Sequence, residues 1–461
     1  MRINKVIAFI TALVMILSIS ACGGKTAGPD NVPPAAVDVP GGANTPPPPD
    51  QPDGAKTAPP PDQSGGAKTP PPPDANGPEF TAEAGAKLVV WENKGEQVLS
   101  DDFVKEFADK YGVEVIREEV EPTEQGDRLT QEGASAADVV MLSTRELGKA
   151  VEAGLVLPND TFEVETRSNN VSAAVQGVSY KRTLYGYPLA AETYLLYYNK
   201  TLLQEAPKSF EDVIEFSKKF TDKSKERYGL MWDIGNIYYS YPFLVSSGGY
   251  IYGQDGTDIN DIGLNSPEAQ KSMEILARLK EVLPVKTDKI TKDFKGSLFT
   301  SDKLAMDMND LSVLGEYKKA MGENLGVAPI PVIGKYNAIS FSEIKAYYVN
   351  AKSQYPNAAR LFAHFASTKE MQLQHSERTG DIPTNKEAQA SDQIKNDPYL
   401  SVFAEQLNTS HAVPSLPEMD NVWEPVGAAL TEIWDNDKDI KAALDDAVKQ
   451  IKERNIAKIA K

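Results

Sequence analysis

Short apolar segments alternate with helical patterns through most of the chain. Leu88–Trp91 is a four-residue apolar run of the kind that forms a buried strand. Phe103, Phe107 and Tyr111 follow at four-residue intervals, which places them on one face of a helix that Gly112 ends. This alternation predicts a parallel sheet with helices on its faces, and such sheets bind ligands beyond the carboxyl ends of their strands.

The same alternation continues along the chain. Val113 and Val115 begin a second strand, and Asp138–Leu142 forms a third strand that is followed by a helix. A strand at Tyr194–Tyr198 and a helix at Ser209–Phe220 resume the pattern. Near the C-terminus, four apolar residues lie on one helical stripe: Ile440, Leu444, Val448 and Ile451. We therefore predict two α/β lobes and a helical C-terminus.

The N-terminus predicts export from the cytoplasm. Arg2 and Lys5 precede a nearly unbroken apolar run, Val6–Ile19, which is too short to span a bilayer comfortably. The run leads into Ser-Ala-Cys-Gly, in which small residues precede Cys22, and this resembles a bacterial lipobox. We predict that residues 1–21 are a signal peptide and that Cys22 is lipidated as the first mature residue.

Cys22 is the only cysteine of the chain, so no internal disulfide can form. A diacylglyceryl group would explain this cysteine, because two acyl chains anchor a protein stably and each buried methylene contributes about 0.8 kcal/mol. The alternatives are an uncleaved membrane anchor and a chance cysteine. No later segment has the length and apolarity of a membrane span, so we expect the rest of the chain on the extracytoplasmic face of the cell membrane.

Residues 22–80 have the composition of a tether. Pro, Gly, Ala, Lys, Thr and Asp dominate, and an imperfect repeat occupies Pro46–Asp50, Pro59–Asp62 and Pro70–Asp74. Such a segment cannot bury an apolar core, so we expect a disordered linker with polyproline stretches. It would hold a globular domain away from the membrane surface.

Charge and motif content exclude several functions. The net charge is -18, with 48 Lys and Arg against 66 Asp and Glu, which argues against nucleic-acid binding. The three histidines, His364, His375 and His411, are far apart and are expected on helix or loop surfaces, so we predict no metal site. No GxxxxGK[ST] loop is present, which assigns ATP hydrolysis to partner subunits. We predict no cofactor.

Several segments along the chain match the pattern of one known family. The most specific is Tyr185–Glu192 followed by Tyr198–Lys200. The other matching segments are Leu88–Trp91, Asp138–Leu142 with Leu147 and Gly148, Pro207–Glu211, Tyr238–Pro242, Gly248–Tyr250, Ala305–Met306 with Asn309, and Pro414–Met419 with Trp423. Together these segments resemble the maltose- and maltodextrin-binding proteins of ABC importers, within the cluster-1 extracellular solute-binding proteins, and the most specific segment is similar to that family's crossover strand between lobes.

The resemblance implies an α/β, two-lobed periplasmic-binding-protein-like fold of type II, in which crossover strands join the lobes. One lobe would comprise residues 86–188 plus 340–385, and the other residues 189–339 plus 386–461. It also implies a monomeric binding protein, not an enzyme, that captures maltose or a maltooligosaccharide and delivers it to the permease subunits of an ABC transporter.

The resemblance also implies a set of ligand-binding residues. Glu192 matches a sugar-contacting glutamate near the hinge, Tyr238 and Tyr239 match stacking aromatics, and Trp423 matches a tryptophan that stacks on a glucosyl ring. Aromatic rings pack on sugar faces, while carboxylates, amides and guanidinium groups bind hydroxyls. Core packing is the alternative for each aromatic residue. Five further polar residues are expected to line the cleft: Asn93, Glu96, Arg145, Glu146 and Asp310.

Two departures from the family leave the identity of the sugar open. Leu142 stands where the family usually has a tryptophan, and Ser312 aligns near another ring-stacking tryptophan. Fewer aromatic platforms make the chain length and linkage of the sugar uncertain. A different oligosaccharide or another solute is the first alternative. An exported glycoside hydrolase with two catalytic carboxylates is the second, because 66 acidic residues do not exclude it.

Overall fold

The computed structural model describes residues 80–96 and 98–459. The predicted signal peptide, the lipidation site Cys22 and the tether up to residue 79 lie outside the described residues, so their roles stay predictions. Within the described part of the chain, no helix combines the length and the apolarity needed to cross a bilayer.

The described strands are β1 (Lys87–Asn93), β2 (Glu114–Val120), β3 (Val139–Leu142), β4 (Ser179–Tyr180), β5 (Thr183–Leu184), β6 (Tyr187–Asn199), β7 (Tyr228–Met231), β8 (Leu304–Asp310), β9 (Leu325–Ala328), β10 (Ser340–Val349), β11 (Ile382–Pro383) and β12 (Ser410–Ala412). The described α-helices are α1 (Asp101–Tyr111), α2 (Gln125–Glu132), α3 (Thr144–Glu152), α4 (Glu163–Asn169), α5 (Ser172–Gly177), α6 (Phe210–Phe220), α7 (Ile237–Val245), α8 (Gly253–Gly256), α9 (Pro267–Val282), α10 (Lys292–Thr300), α11 (Leu314–Met321), α12 (Pro356–Ala366), α13 (Lys369–Thr379), α14 (Lys386–Gln389), α15 (Asp392–Lys395), α16 (Leu400–Leu407), α17 (Trp423–Asn436) and α18 (Ile440–Ile459).

Ten of the described strands form one mixed sheet, whose main path runs β2-β1-β3-β10-β6-β8-β7. β1 pairs in parallel with β2 and β3, as the alternation of strands and helices predicts. The prediction of a parallel sheet is wrong for the centre, where β10 runs antiparallel to both β3 and β6. β10 comes from a distant part of the chain and enters the sheet from the opposite direction, which local patterning cannot show.

The 13-residue strand β6 joins the two halves of this sheet. Its first part, Tyr187–Thr193, pairs with β10, whereas Tyr194–Asn199 pairs with β8 and β9. Eleven of its residues are buried, which explains why the segment reads as a nearly continuous apolar run and not as an alternating strand. β6 thus occupies the place of the predicted crossover strand, while the exact limits of the lobes remain a prediction.

Helix α1 forms where the sequence pattern predicts it. The Ser100 hydroxyl caps its first turn by accepting a hydrogen bond of 3.1 Å from the Phe103 amide. Gly112 ends the helix in the left-handed conformation at φ 67°, where a residue without a Cβ is favoured. Phe103 and Phe107 are buried edge-on against Phe362 of α12, and burying each ring contributes about 1.5–3 kcal/mol.

The C-terminus is helical, as predicted. Leu444, Val448 and Ile451 are buried on one face of α18, and Ile440 is partly buried against the same core. α18 packs against α17, the helix that begins with Trp423. Near the start of α17, Arg454 of α18 forms an ion pair with Glu424, the residue after Trp423.

Candidate functional site

A cavity of about 570 Å³ lies beyond the carboxyl ends of β1 and β3. This is the position that the general rule for α/β sheets predicts. The residues that line it are Asn93, Glu96, Pro122, Thr123, Met141, Leu142, Ser143, Arg145, Glu146, Lys149, Glu192, Glu343, Ile344, Lys345 and Asp420. Five of the nine predicted binding residues are therefore brought together in one cavity.

Two of the predicted binding residues, Asn93 and Glu96, lie at the end of β1. Asn93 is buried, and its side-chain oxygen accepts a hydrogen bond of 2.8 Å from the Gln125 amide. Its own amide donates to the Glu96 carboxylate at 3.3 Å. Asn93 therefore orients Glu96 at the cavity wall.

The first turn of α3 supplies the next pair. Glu146 completes a capping box with Ser143, because its carboxylate accepts from the Ser143 amide at 3.0 Å and from the Ser143 hydroxyl at 2.9 Å. The Arg145 guanidinium forms an ion pair with Glu343 and lies 4.5 Å from the centre of the Trp423 ring. Glu146 thus serves the helix end, whereas Arg145 links the cavity to the aromatic residue at the start of α17.

Glu192, on β6, faces the middle of β10. Its carboxylate lies 2.9 Å from the Lys345 ammonium, and the Glu192 side chain is 44% exposed. Burial raises the pKa of Glu192, and the positive charge of Lys345 acts against this effect. The carboxylate therefore has both a fixed partner and an accessible surface.

An aromatic cluster flanks the cavity. Phe341 is buried at its centre, with ring centroids 5.9 Å from Tyr238 and 6.2 Å from Trp423. Tyr194 lies 5.2 Å from both Tyr238 and Tyr239. The predicted rings Tyr238, Tyr239 and Trp423 stay partly exposed, as stacking platforms must be. None of the three lines the cavity, although Trp423 contacts its lining residue Arg145.

Tyr238 is close to the charged residues of the cavity. Burial raises its pKa well above the ordinary value, and the carboxylates of Glu343 and Glu192 add to this shift. Tyr239 instead donates a hydrogen bond of 2.5 Å from its hydroxyl to the Asp310 carboxylate. Asp310 also accepts from the Ser312 amide at 2.9 Å, so this predicted binding residue caps a turn and orients Tyr239.

Leu142 and Ser312, the two departures from the family, provide no aromatic ring. Leu142 lines the cavity with an aliphatic side chain. Ser312 accepts a hydrogen bond of 2.9 Å from the Lys292 ammonium and offers no ring. The cavity therefore has fewer aromatic platforms than the resemblance implies.

Sequence reasoning missed four charged residues of the cavity: Lys149, Glu343, Lys345 and Asp420. Lys149 and Asp420 form an ion pair of 2.8 Å. A signal for Glu343 and Lys345 was present, because they stand two residues apart in an otherwise uncharged and mostly buried strand. Charged residues are rarely buried without a partner, so charges in such a strand indicate a polar site.

The expectation that all three histidines lie on the surface is wrong for His375. This residue is buried in α13, where its ring nitrogen Nε2 lies 3.0 Å from the Asp381 carboxylate. Over residues 80–96 and 98–459, no three His, Cys, Asp or Glu side chains are grouped as metal ligands.

The family profile for the bacterial extracellular solute-binding proteins matches residues 102–402. The chain belongs to this family. The galactooligosaccharide-binding protein of Bacillus subtilis is 30% identical over 390 residues, which cover 82% of this chain and 91% of that protein. The maltotriose-binding protein of Pyrococcus abyssi is 29% identical over 378 residues, which cover 79% of this chain and 81% of that protein.

A similar solved structure is that of a cyclo/maltodextrin-binding protein complexed with maltotetraose. It is 33% identical in sequence and superposes with a TM-score of 0.76, covering 81% of this chain and 98% of that chain. This similarity confirms the predicted two-lobed α/β fold with its helical C-terminus. It also confirms the resemblance to the maltodextrin-binding proteins of ABC importers.

Proposed function

We propose that this solute-binding protein captures maltose or a maltooligosaccharide outside the cytoplasm and delivers it, unaltered, to the permease of an ABC importer. The observation that carries the proposal is the charged cavity next to the partly exposed rings of Trp423 and Tyr238. It is supported by the family, and by relatives and a solved structure whose names specify maltotriose and maltodextrin.

The chemistry of this site suits an oligosaccharide. Sugar rings have apolar faces that pack on aromatic rings, and their hydroxyls both donate and accept hydrogen bonds. Glu192 and Glu96 accept hydrogen bonds, while Arg145 donates them. A cavity of about 570 Å³ is within the usual size range of small-molecule sites.

Ligand capture would favour a closed arrangement of the two predicted lobes. Arg145 on α3 and Trp423 on α17 are in contact at the cavity, so a sugar that touches both would tie α3 to α17. A ligand shifts such an equilibrium only by its difference in affinity for the two states. The closed, loaded form is then the one that docks on the permease, and ATP hydrolysis by partner subunits would reopen it.

A ligand screen tests the proposed function. We expect maltotriose to raise the melting temperature of the purified protein, because a ligand at about 100 times its Kd stabilises the native state by about 2.7 kcal/mol. Differential scanning fluorimetry and calorimetry provide the measurements. Sucrose serves as a control, and the absence of a shift with every maltooligosaccharide would contradict the proposal.

A galactooligosaccharide is the second candidate ligand. The Bacillus subtilis relative is named for that ligand, and Leu142 and Ser312 remove two aromatic platforms. A shift with galactotriose but not with maltotriose would select this candidate. The same incubations distinguish binding from hydrolysis, since the release of new reducing ends would identify a glycoside hydrolase.

Anchoring by lipid at Cys22 belongs to the same proposal. The Cys22→Ser variant cannot receive a thioether-linked diacylglyceryl group, so we expect it to leave the membrane fraction. Fractionation of cells that express either form, followed by immunoblotting, provides the measurement. A variant that stays membrane-bound to the wild-type extent would contradict the lipid anchor and favour an uncleaved apolar segment.

A further inference from the structure

Lys345 contacts carboxylates from three separate parts of the chain. Its ammonium lies 2.9 Å from Glu192 on β6, 3.1 Å from Asp381 beside β11, and 3.2 Å from Glu96 after β1. Its side chain is only 19% exposed. Burying an ammonium group costs free energy, and the three carboxylates offset that cost.

The strand register explains why a cation is needed at this position. Glu343 on β10 stands directly opposite Glu192 on β6 in the antiparallel pairing. Like charges in directly opposed positions destabilise a sheet. Each carboxylate has its own cation, since Arg145 pairs with Glu343 and Lys345 pairs with Glu192.

We propose that Lys345 is a positioning residue of the ligand site, which keeps the Glu192 carboxylate ionised and oriented toward the cavity. The inference rests on the proposed function, because Glu192 is the carboxylate expected to bind sugar hydroxyls. Lys345 contacts Oε1 of Glu192, and the Glu192 side chain, which is 44% exposed, lines the cavity. Hydrogen bonds to an ionised acceptor are about twice as strong as neutral ones.

The titration of Glu192 supports this role. Burial raises its pKa, Lys345 lowers it, and Asp381 and Glu343 raise it. Without Lys345, the three remaining influences all favour the protonated acid. A variant without this lysine should therefore protonate Glu192 at a higher pH than the wild type does.

The effects of other charged groups near Lys345 must be distinguished from the effect of Glu192. Glu96 and Asp381 contact the ammonium directly, and Arg145 holds Glu343 on the same strand. His375 on α13 faces Asp381, whose pKa is pushed up by burial but is brought to about 2 by the hydrogen bond from His375 and the charge of Lys345. The experiment must therefore separate Glu192 from these neighbouring groups.

The test measures maltotriose affinity against pH for Lys345→Met. We expect the affinity of this variant to fall about tenfold more than that of the wild type between about pH 8 and about pH 5, because a charge-assisted acceptor is lost. Lys345→Arg, which keeps the cation, should restore the wild-type profile. Lys303→Met removes a lysine paired with Glu226 and should also keep that profile.

The double variant Lys345→Met/Glu192→Gln identifies the titrating group. Its affinity should be low and independent of pH, because the glutamine does not ionise. A pH dependence that persists would assign the effect to a group other than Glu192 and overturn the proposal. So would a Lys345→Met variant with the wild-type profile.

Carboxyl NMR of the ligand-free protein separates this inference from the proposed function. With ¹³C-labelled glutamate, the Glu192 signal is identified by its loss in Glu192→Gln, and its titration should move to higher pH in Lys345→Met. An unchanged titration overturns the role of Lys345 even if maltotriose binds. If no maltooligosaccharide binds the wild type, the proposed function fails while this titration still decides the role of Lys345. If Lys345→Met does not fold, Lys345→Gln takes its place in both measurements.

Discussion

Replacing Asp307 with alanine should lower the free energy of unfolding by about 3–5 kcal/mol, because it leaves a buried lysine without its counter-ion. Asp307 on β8 is fully buried, and the side chain of Lys295 on α10 is 3% exposed. The Lys295 ammonium and the Asp307 carboxylate are 2.7 Å apart. A single charge in this position has no water to solvate it.

The Asp307 carboxylate has two further partners that the same variant would lose. It accepts hydrogen bonds from the Tyr317 hydroxyl at 2.7 Å and from the Asn309 amide at 2.9 Å. These donors are buried as well, and an unsatisfied buried donor adds about 1–3 kcal/mol to the cost. Lys295 also lies 5.8 Å from the Tyr239 ring, so the pair supports one of the proposed stacking residues.

Denaturation by urea, followed by circular dichroism, measures this effect. Asp446→Ala is the matched control, because Asp446 forms an equally short ion pair of 2.7 Å with Lys438 on the exposed surface. Exposed ion pairs contribute little, so this variant should unfold near the wild-type midpoint. Equal stability of the two variants would contradict the importance of the buried pair.

Replacing Trp423 with alanine should weaken maltotriose binding by about 2 kcal/mol, or roughly thirtyfold. The indole ring is partly exposed beside the cavity and contacts both Arg145 and Phe341. Its loss would remove an aromatic ring on which a sugar could stack. It would also remove the ring that packs against Arg145, whose guanidinium pairs with Glu343. Titration calorimetry measures the change in affinity.

Trp423→Phe is the control for ring stacking, since it keeps a smaller aromatic face. We expect it to retain more affinity than the alanine variant. Thermal unfolding of the ligand-free variants checks that the start of α17 remains folded. If a folded Trp423→Ala variant binds maltotriose as the wild type does, the stacking role of this ring is wrong.

The charged residues that line the cavity could be predicted only in part from the sequence. Arg145 and Glu146 follow β3 directly, and Glu192 lies within the crossover segment, so neighbouring residues indicate their positions. Glu343 and Lys345 come from β10, about 150 residues beyond Glu192, and their contacts depend on the antiparallel register between β6 and β10. Strand register is decided by long-range packing, which a single local pattern does not contain.

Local chemistry in the sequence was sufficient for individual elements such as α1, whose spacing of Phe103 and Phe107, serine cap and terminal Gly112 all act within one helix. It was also sufficient for the second part of β6, Tyr194–Tyr198, and for the stripe on α18. The direction of β10, the burial of His375 and the ion pairs around Lys345 required the folded chain. The reason is that caps and periodicity act over a few residues, whereas sheet direction and charge pairing depend on segments that meet only after folding.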